Sequence, residues 1–594
     1  FTDGGSIKGA VNAQNGGLVS VKGAEINGAI KVDGIDSEYH GTDTALTTVT
    51  ADLSTYTGSE KGAVIVTNSG NAVFDGKQTL ITVDADHAGK VFGVILDKGK
   101  AEFNADTTVI NVNNTNAIGT WDYAVDVKVD SQAVFNGKDV SIKAVKIDYT
   151  SQTFTVRDRS TADFNNSGTT IIEANSNASV TALDVKNGGI MNVNSDILAI
   201  KSEILGGKEA AINAIGIQIH SEDGHSQSTQ LNITDKVNDF SIDVKGQGYD
   251  YDGTSYSSGT AALNASNQAT ATIESKKFTA NVVFNDETAS SDNNHNVMAG
   301  LWAADAGKIV ASKATDTVVN VTKTGPSAAK AYAVWSTGKN SDISLLGNTT
   351  ITATGKTASN ALLAEDGGQI TVGSEGKTVD LTGEVKVDGG SVSNHGNVTI
   401  NGQLLVKADG ASSEYTSTGE NLRINAGSDS AVQIENSSLQ NVSNVLDFNA
   451  KNTELSSSGS NYISAVNILN NNQPDVTASN TVNFSGDTTK ITATATDGKA
   501  QGVRIGESNF GSGKLTTDIN FGATNTSINV KGNVVAGDYY DQVAGIWEGE
   551  GSYKGDVATK IAFNGKANID VYSQGGNAYG IFVEHGSEIG TTII

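Results

Sequence analysis

A phenylalanine-led unit recurs along the 594 residues and constrains the fold more than any other feature of the chain. Its copies read NAVFDGKQTLITV, KAEFNADTTVINV, QAVFNGKDVSIKA, TVNFSGDTTKITA and DINFGATNTSINV. Seven places after Phe74, Phe103, Phe135, Phe484 and Phe521 stand Ile81, Ile110, Ile142, Ile491 and Ile528. Nine places after them stand Val83, Val112, Ala144, Ala493 and Val530, and two places before them Ala72, Ala101, Ala133, Val482 and Ile519. Apolar and polar residues therefore alternate with period two on both sides of a four- to five-residue turn, the pattern of two short strands. Met191, with Leu198 and Ile200, fits the same spacing. The lead residues Phe74, Phe103, Phe135, Phe164 and Met191 are 29, 32, 29 and 27 residues apart, a repeat period.

A third apolar segment follows in each repeat: VFGVIL (91–96), INAIGIQI (212–219), MAGLWAA (298–304), AYAVW (331–335), QGVRI (501–505), VAGIWE (543–548) and AYGIFVEHG (578–586). A polar turn then leads into the next Phe-led strand, as in DKGK, EDGGQ and EHGSE. Three strands per 29 or so residues, with no helical period and no two-residue hairpin turns, predict one coil of a parallel solenoid. Propeller repeats run to about 40–50 residues with four strands, and three are counted here. The fold class read from the sequence is thus all-β, a single-stranded right-handed parallel β-helix of about 20 coils of three strands. At about 4.8 Å per coil it would be roughly 100 Å long. Equivalent residues of successive coils would stack, placing the phenylalanines in one internal column. Trp302, Trp335 and Trp547 share a position at which alternation points them outward.

Composition agrees. Proline removes a ladder donor, and only Pro326 and Pro474 occur, against roughly 30 expected at an average of about 5%. The 40 basic and 66 acidic residues leave a net charge of −26, a poor surface for nucleic acid. With no cysteine there is neither a disulfide framework nor a thiolate site. No apolar run approaches the 18 or so residues of a spanning helix, and the opening FTDGGSIKGAV has no basic-then-apolar leader.

The Phe-led strand, the AYGIFVEHG and NALLAEDGGQITV type of third strand and the scarcity of proline and cysteine resemble autotransporter (type V secretion) passenger domains of Gram-negative bacteria, in the style of pertactin and the self-associating autotransporter adhesins. The resemblance implies one continuous β-helical passenger over 1–594, without signal peptide or C-terminal translocator barrel. It also implies display on the outer membrane, or secretion, and a virulence or cell-adhesion role.

The chain carries few motifs with chemistry. HGT (40–42) and GTS (253–255) lack the remainder of a serine-protease triad, and GSGKL (511–515) departs from the phosphate-loop pattern. His220 and His225, with Glu222 and Asp223, fit no zinc spacing, and acidic turns such as DADH and GYDYDG lack a calcium-loop pattern. No catalytic residue, metal site or cofactor is assigned. The rival class is a β-helix polysaccharide lyase or hydrolase, for which Arg157, Asp158 and Arg159 form the densest ion cluster with guanidinium groups, read as alternating residues of a solvated strand.

The connection between second and third strands expands at 113–122, 245–260, 285–296 and 531–542, which would make a ridge along one edge. Its Tyr, Ser, Gly, Asp and Asn content is that of adaptable binding surfaces. Tyr249, Asp250, Tyr251, Asp252, Tyr256, Tyr539 and Tyr540 are the candidate ligand-binding residues. The expected function is a non-enzymatic surface adhesin that binds a host glycan or protein, or another copy of itself.

Overall fold

Period-two alternation is realised as strands throughout. The computed structural model describes residues 5–42, 46–52, 60–85, 90–114, 122–146, 150–205, 213–222, 228–247, 258–285, 296–324, 330–355, 359–436, 441–470, 476–507, 514–534, 542–549, 556–583 and 588–591, and every regular element among them is a β-strand. The strands pair in parallel with their counterparts one coil away, which is the parallel β-helix. The chain forms two compact units, residues 1–331 with 355–357, and 332–354 with 358–594.

In the first unit each coil has three faces. Lys100–Phe103, Thr107–Asn114 and Asp122–Lys128 make one coil, and Gln132–Phe135, Asp139–Lys146 and Ser151–Arg157 the next. Register is kept residue by residue, so Phe74 pairs with Phe103, Phe103 with Phe135 and Phe135 with Phe164. The expected aromatic column follows. Its ring centroids are 5.1, 4.8 and 4.5 Å apart and within 9° of parallel, and Tyr39 tilts onto one end at 5.3 Å. Phe154 leans across from the third face onto Phe164 at 5.4 Å. All these rings are fully buried.

One register differs from the sequence reading. Met191 pairs with Ala162, and Val193 is the partner of Phe164. The lead position of that coil is therefore Val193, and the next leads are Ile233 and Ile273. A side chain of either size fills the column, so the ring that marked the repeat is lost while the alternation continues.

Small residues of the third face serve close packing. A Cβ on Gly93 would stand 2.6 Å from the Ala124 carbonyl oxygen and 2.8 Å from Ile110 Cγ2, so the second and third faces approach there only because a side chain is absent.

In part of the second unit the first two faces merge into single bent strands, Ser391–Asn401, Ser413–Asn425 and Val442–Gly459, while coils such as Thr477–Phe484 with Thr488–Ala495 keep them separate. The bend uses Gly419, whose φ of 122° is left to glycine and whose Cβ would stand 2.3 Å from the Gly396 carbonyl oxygen. The aromatic column is present here too: Phe448, Phe484, Phe521 and Phe563 stack at 4.9, 5.0 and 4.7 Å. Beside it runs a buried amide stack in which Asn444 Nδ2 donates to Asn436 Oδ1 (2.7 Å) and Asn480 Oδ1 (3.0 Å), pairing that amide's donors out of water while its own Oδ1 has no partner.

Candidate functional site

Insertions between the second and third faces are anchored by register. Strands Asp239–Gln247 and Lys277–Asn285 pair as far as Gln247 with Asn285, and Ser258–Ser266 and Asn296–Ala304 begin with Ser258 paired to Asn296. Insertions 248–257 and 286–295 therefore leave and rejoin neighbouring coils at adjacent positions. Tyr249, Asp250, Tyr251, Asp252, Tyr256, Tyr539 and Tyr540 lie outside the described residues.

The outer surface of the third face in the first unit carries charge. One outward row runs Ile95, Asp126, Thr155, Asp184, Gln218, Asn264, Trp302 along successive coils. Asp126 and Asp184 are each only 1% exposed. Asp126 is held two-pronged by Arg157, Nε donating to Oδ1 (3.1 Å) and one terminal nitrogen to Oδ2 (3.0 Å). Burial disfavours the Arg157 charge, but the Asp126 carboxylate outweighs it and raises the guanidinium pKa. Asp184 lies 3.3 Å from both Lys186 Nζ and His220 Nε2. Burial pushes its carboxyl up, yet the His220 hydrogen bond and the Lys186 charge hold it below the usual carboxylate range. Arg157, Lys186 and His220 are themselves register partners, so a basic column borders the acidic one.

This arrangement corrects the sequence reading of Arg157, Asp158 and Arg159 as alternating strand residues. Arg157 ends its strand, while Asp158 and Arg159 both have positive φ (57° and 64°) in the turn beyond it. Arg159 forms a separate exposed pair with Asp130 one coil away (2.7 and 2.6 Å). Arg157 also donates to Asp158 (3.1 Å), but its two-pronged partner Asp126 lies 31 residues earlier, and only the repeat period brings the two together. His220 is committed to Asp184, and Glu222 exchanges hydrogen bonds with Asn187, its backbone nitrogen donating to Oδ1 (2.8 Å). Asp223 and His225 lie outside the described residues. Among the described residues no group of three or more His, Asp or Glu is placed to hold a metal ion.

Outward tryptophans are half-buried, as alternation requires. Trp335 Nε1 donates to Glu365 (2.8 Å), whose carboxyl is nevertheless pushed up by burial. Trp547 faces the Arg504 guanidinium at 5.3 Å, with Tyr462 on it at 5.6 Å, and Arg504 donates to Asn467 (3.0 Å). Such cation–π stacking gives a rigid planar patch.

Polar ladders run along the coils. At the corner after the Phe-led strand, Asn136 donates to Asn104 (2.8 Å), Asn165 to Asn136 (3.2 Å), Asn194 to Asn165 (2.9 Å) and Thr234 to Asn194 (2.9 Å). His40 and Asn104 bond Asp75 at the end of this ladder. Burial raises that carboxyl, but the two hydrogen bonds outweigh it and hold it low. In the second unit Asn421 donates to Asn397 (3.0 Å), Asn452 to Asn421 (3.1 Å) and Thr488 to Asn452 (2.7 Å). The signal was present in sequence, since the residue directly after Phe74, Phe103, Phe135 and Phe164 is always Asp or Asn. An Asn in such a ladder uses one donor and one acceptor, and retains a second of each for solvent or a partner.

Compared with known proteins, the chain matches no family model and no curated protein.

Proposed function

We propose that this protein is a surface-displayed bacterial adhesin, exported to the outer face of a Gram-negative cell or secreted, which binds a host glycan or protein or associates with further copies of itself. The observation that carries this reading is the Asn ladder of Asn104, Asn136, Asn165 and Asn194, exposed at Asn136 and Asn165 and half-buried at its two ends. It offers amide groups at the coil spacing of about 4.8 Å on a pre-ordered surface. Many weak hydrogen bonds made in register add through avidity, and the ordering entropy has already been spent in folding. The Tyr, Asp, Ser and Gly content of the 245–260 segment suits a second binding surface.

The test is aggregation of beads coated with the chain. Converting exposed Asn136 and Asn165 to Lys should reduce aggregation several-fold while the folded spectrum is retained; unchanged aggregation would reject the ladder as the adhesive surface.

The second reading, a polysaccharide lyase or hydrolase, draws on Asp126 and Asp184, two coils apart with Arg157, Lys186 and His220 beside them. Paired carboxylates about 6.5–9.5 Å apart suit an inverting glycosidase, but one must remain protonated as the acid. Here each carboxylate already holds its cations and is buried, which favours the adhesin. Release of reducing or unsaturated sugar ends, lost on Asp126→Asn, would reverse that preference.

A further inference from the structure

Beneath the corner between the second and third faces of the first unit lie three polar side chains sealed from water. Asn114 ends the strand Thr107–Asn114, and Asp122 opens the next strand of the same coil. Lys146 ends the equivalent second-face strand one coil on, and is the register partner of Asn114. All three are 0% exposed, and Lys146 is among the largest fully buried side chains of the described residues. Lys146 Nζ lies 3.3 Å from Asp122 Oδ2. Asp122 Oδ1 accepts from the Val91 backbone nitrogen (3.1 Å), and the carboxyl is also hydrogen-bonded by the Asn114 amide. In the same inward column Ala85 precedes Asn114 and Ser176 follows Lys146, so small side chains leave the lysine chain room to lie across the corner.

An ion pair fully removed from water is costly, and passing one proton from ammonium to carboxylate removes both charges. The Asp122 carboxyl is suited to receive it, since burial raises its pKa to about 6 against the opposing pull of Lys146. The Asp122 carboxyl, 3.3 Å from Lys146 Nζ, already hydrogen-bonds the Asn114 carboxamide. Holding amine and carboxamide together in one dry corner supplies the proximity that amide exchange lacks in solution.

We infer that Lys146 and Asn114 join in an intramolecular isopeptide bond, with Asp122 as the proton carrier. The Nζ lone pair attacks Asn114 Cγ, and Asp122 relays a proton from Nζ to the departing amide nitrogen. The Cγ–Nδ2 bond breaks and ammonia leaves, so one amide replaces another with no oxidant or reductant. The product is a covalent staple between two successive coils, which resists their separation under a pulling load.

Mass spectrometry of the full denatured wild-type chain tests this without any variant. The expected result is a mass below that of the sequence by one ammonia, with proteolysis yielding a branched peptide that joins positions 114 and 146. A mass equal to that of the sequence overturns the proposal. So does a loss of water with a branch to Asp122, and so does an ammonia loss that maps to a succinimide elsewhere. Lys146→Met and Asp122→Asn should each restore the full mass; an ammonia deficit persisting in Lys146→Met would also overturn it.

Discussion

Phe103 and Phe135, 32 positions apart, lie with ring centroids 4.8 Å apart and planes within 9° of parallel in the centre of a coil stack. Phe103 also stacks on Phe74 at 5.1 Å, so its removal opens the column on two sides. Phe103→Ala should destabilise the first unit by about 3–5 kcal/mol, the cost of deleting a large buried aromatic. Coils couple mainly to neighbours, so the damage should be local. Hydrogen exchange should show lost protection near residues 80–135 with the second unit unaffected; a cost below about 0.5 kcal/mol would mean that the ring is not buried.

Gly93 tests the contact between faces. Its missing Cβ is required by Ala124 and Ile110, so Gly93→Val should cost about 1–3 kcal/mol through overpacking. Thermal unfolding of the first unit would report it.

Two carboxyls give opposite pH dependences. Asp184, held low, stabilises the first unit above the unfolded-state value of about 3.9, and this contribution is lost as pH falls through its lower folded value. Asp184→Asn should flatten that acid limb and cost about 1–3 kcal/mol at neutral pH, since Lys186 loses its counter-charge.

Glu384 is raised by burial, partly offset by the Asn360 hydrogen bond. The folded state then favours its protonated form, so the second unit should lose stability as pH rises from about 4.3 through the raised value. Glu384→Gln keeps an acceptor for Asn360 and should remove that decline; a pH profile identical to wild type would show that Glu384 is not desolvated.

The insertions and the ladder are separable. Excising residues 249–256 should leave the pairing of Asp239–Gln247 and Ser258–Ser266 with their neighbours intact, because both strands are held independently of the excised residues. Thermal unfolding should therefore be unchanged. If adhesion falls several-fold, the insertion carries the ligand contacts; if it persists but is lost on Asn136→Lys with Asn165→Lys, the ladder carries them.

The sequence by itself determined the solenoid, its three faces, the aromatic column and the outward tryptophans, because these depend on alternation within a few residues and on a repeat near 29. It also carried the corner residues Asp75, Asn104, Asn136 and Asn165, one place after Phe74, Phe103, Phe135 and Phe164. Only tertiary structure decided which residues of different coils meet. Met191 carries the correct chemistry but lies two positions from the column, because register is set by backbone pairing with the neighbouring coil. Arg157 keeps its local contact with Asp158, but its two-pronged partner is Asp126, 31 residues earlier, which no local pattern indicates. Asn114 and Asp122 fall within the connection 113–122 expected to form the ridge, yet they close and open strands and are buried with Lys146. The physical reason is the same in each case: a side chain's direction follows from local alternation, whereas its partner follows from the length of every connection in the intervening coil.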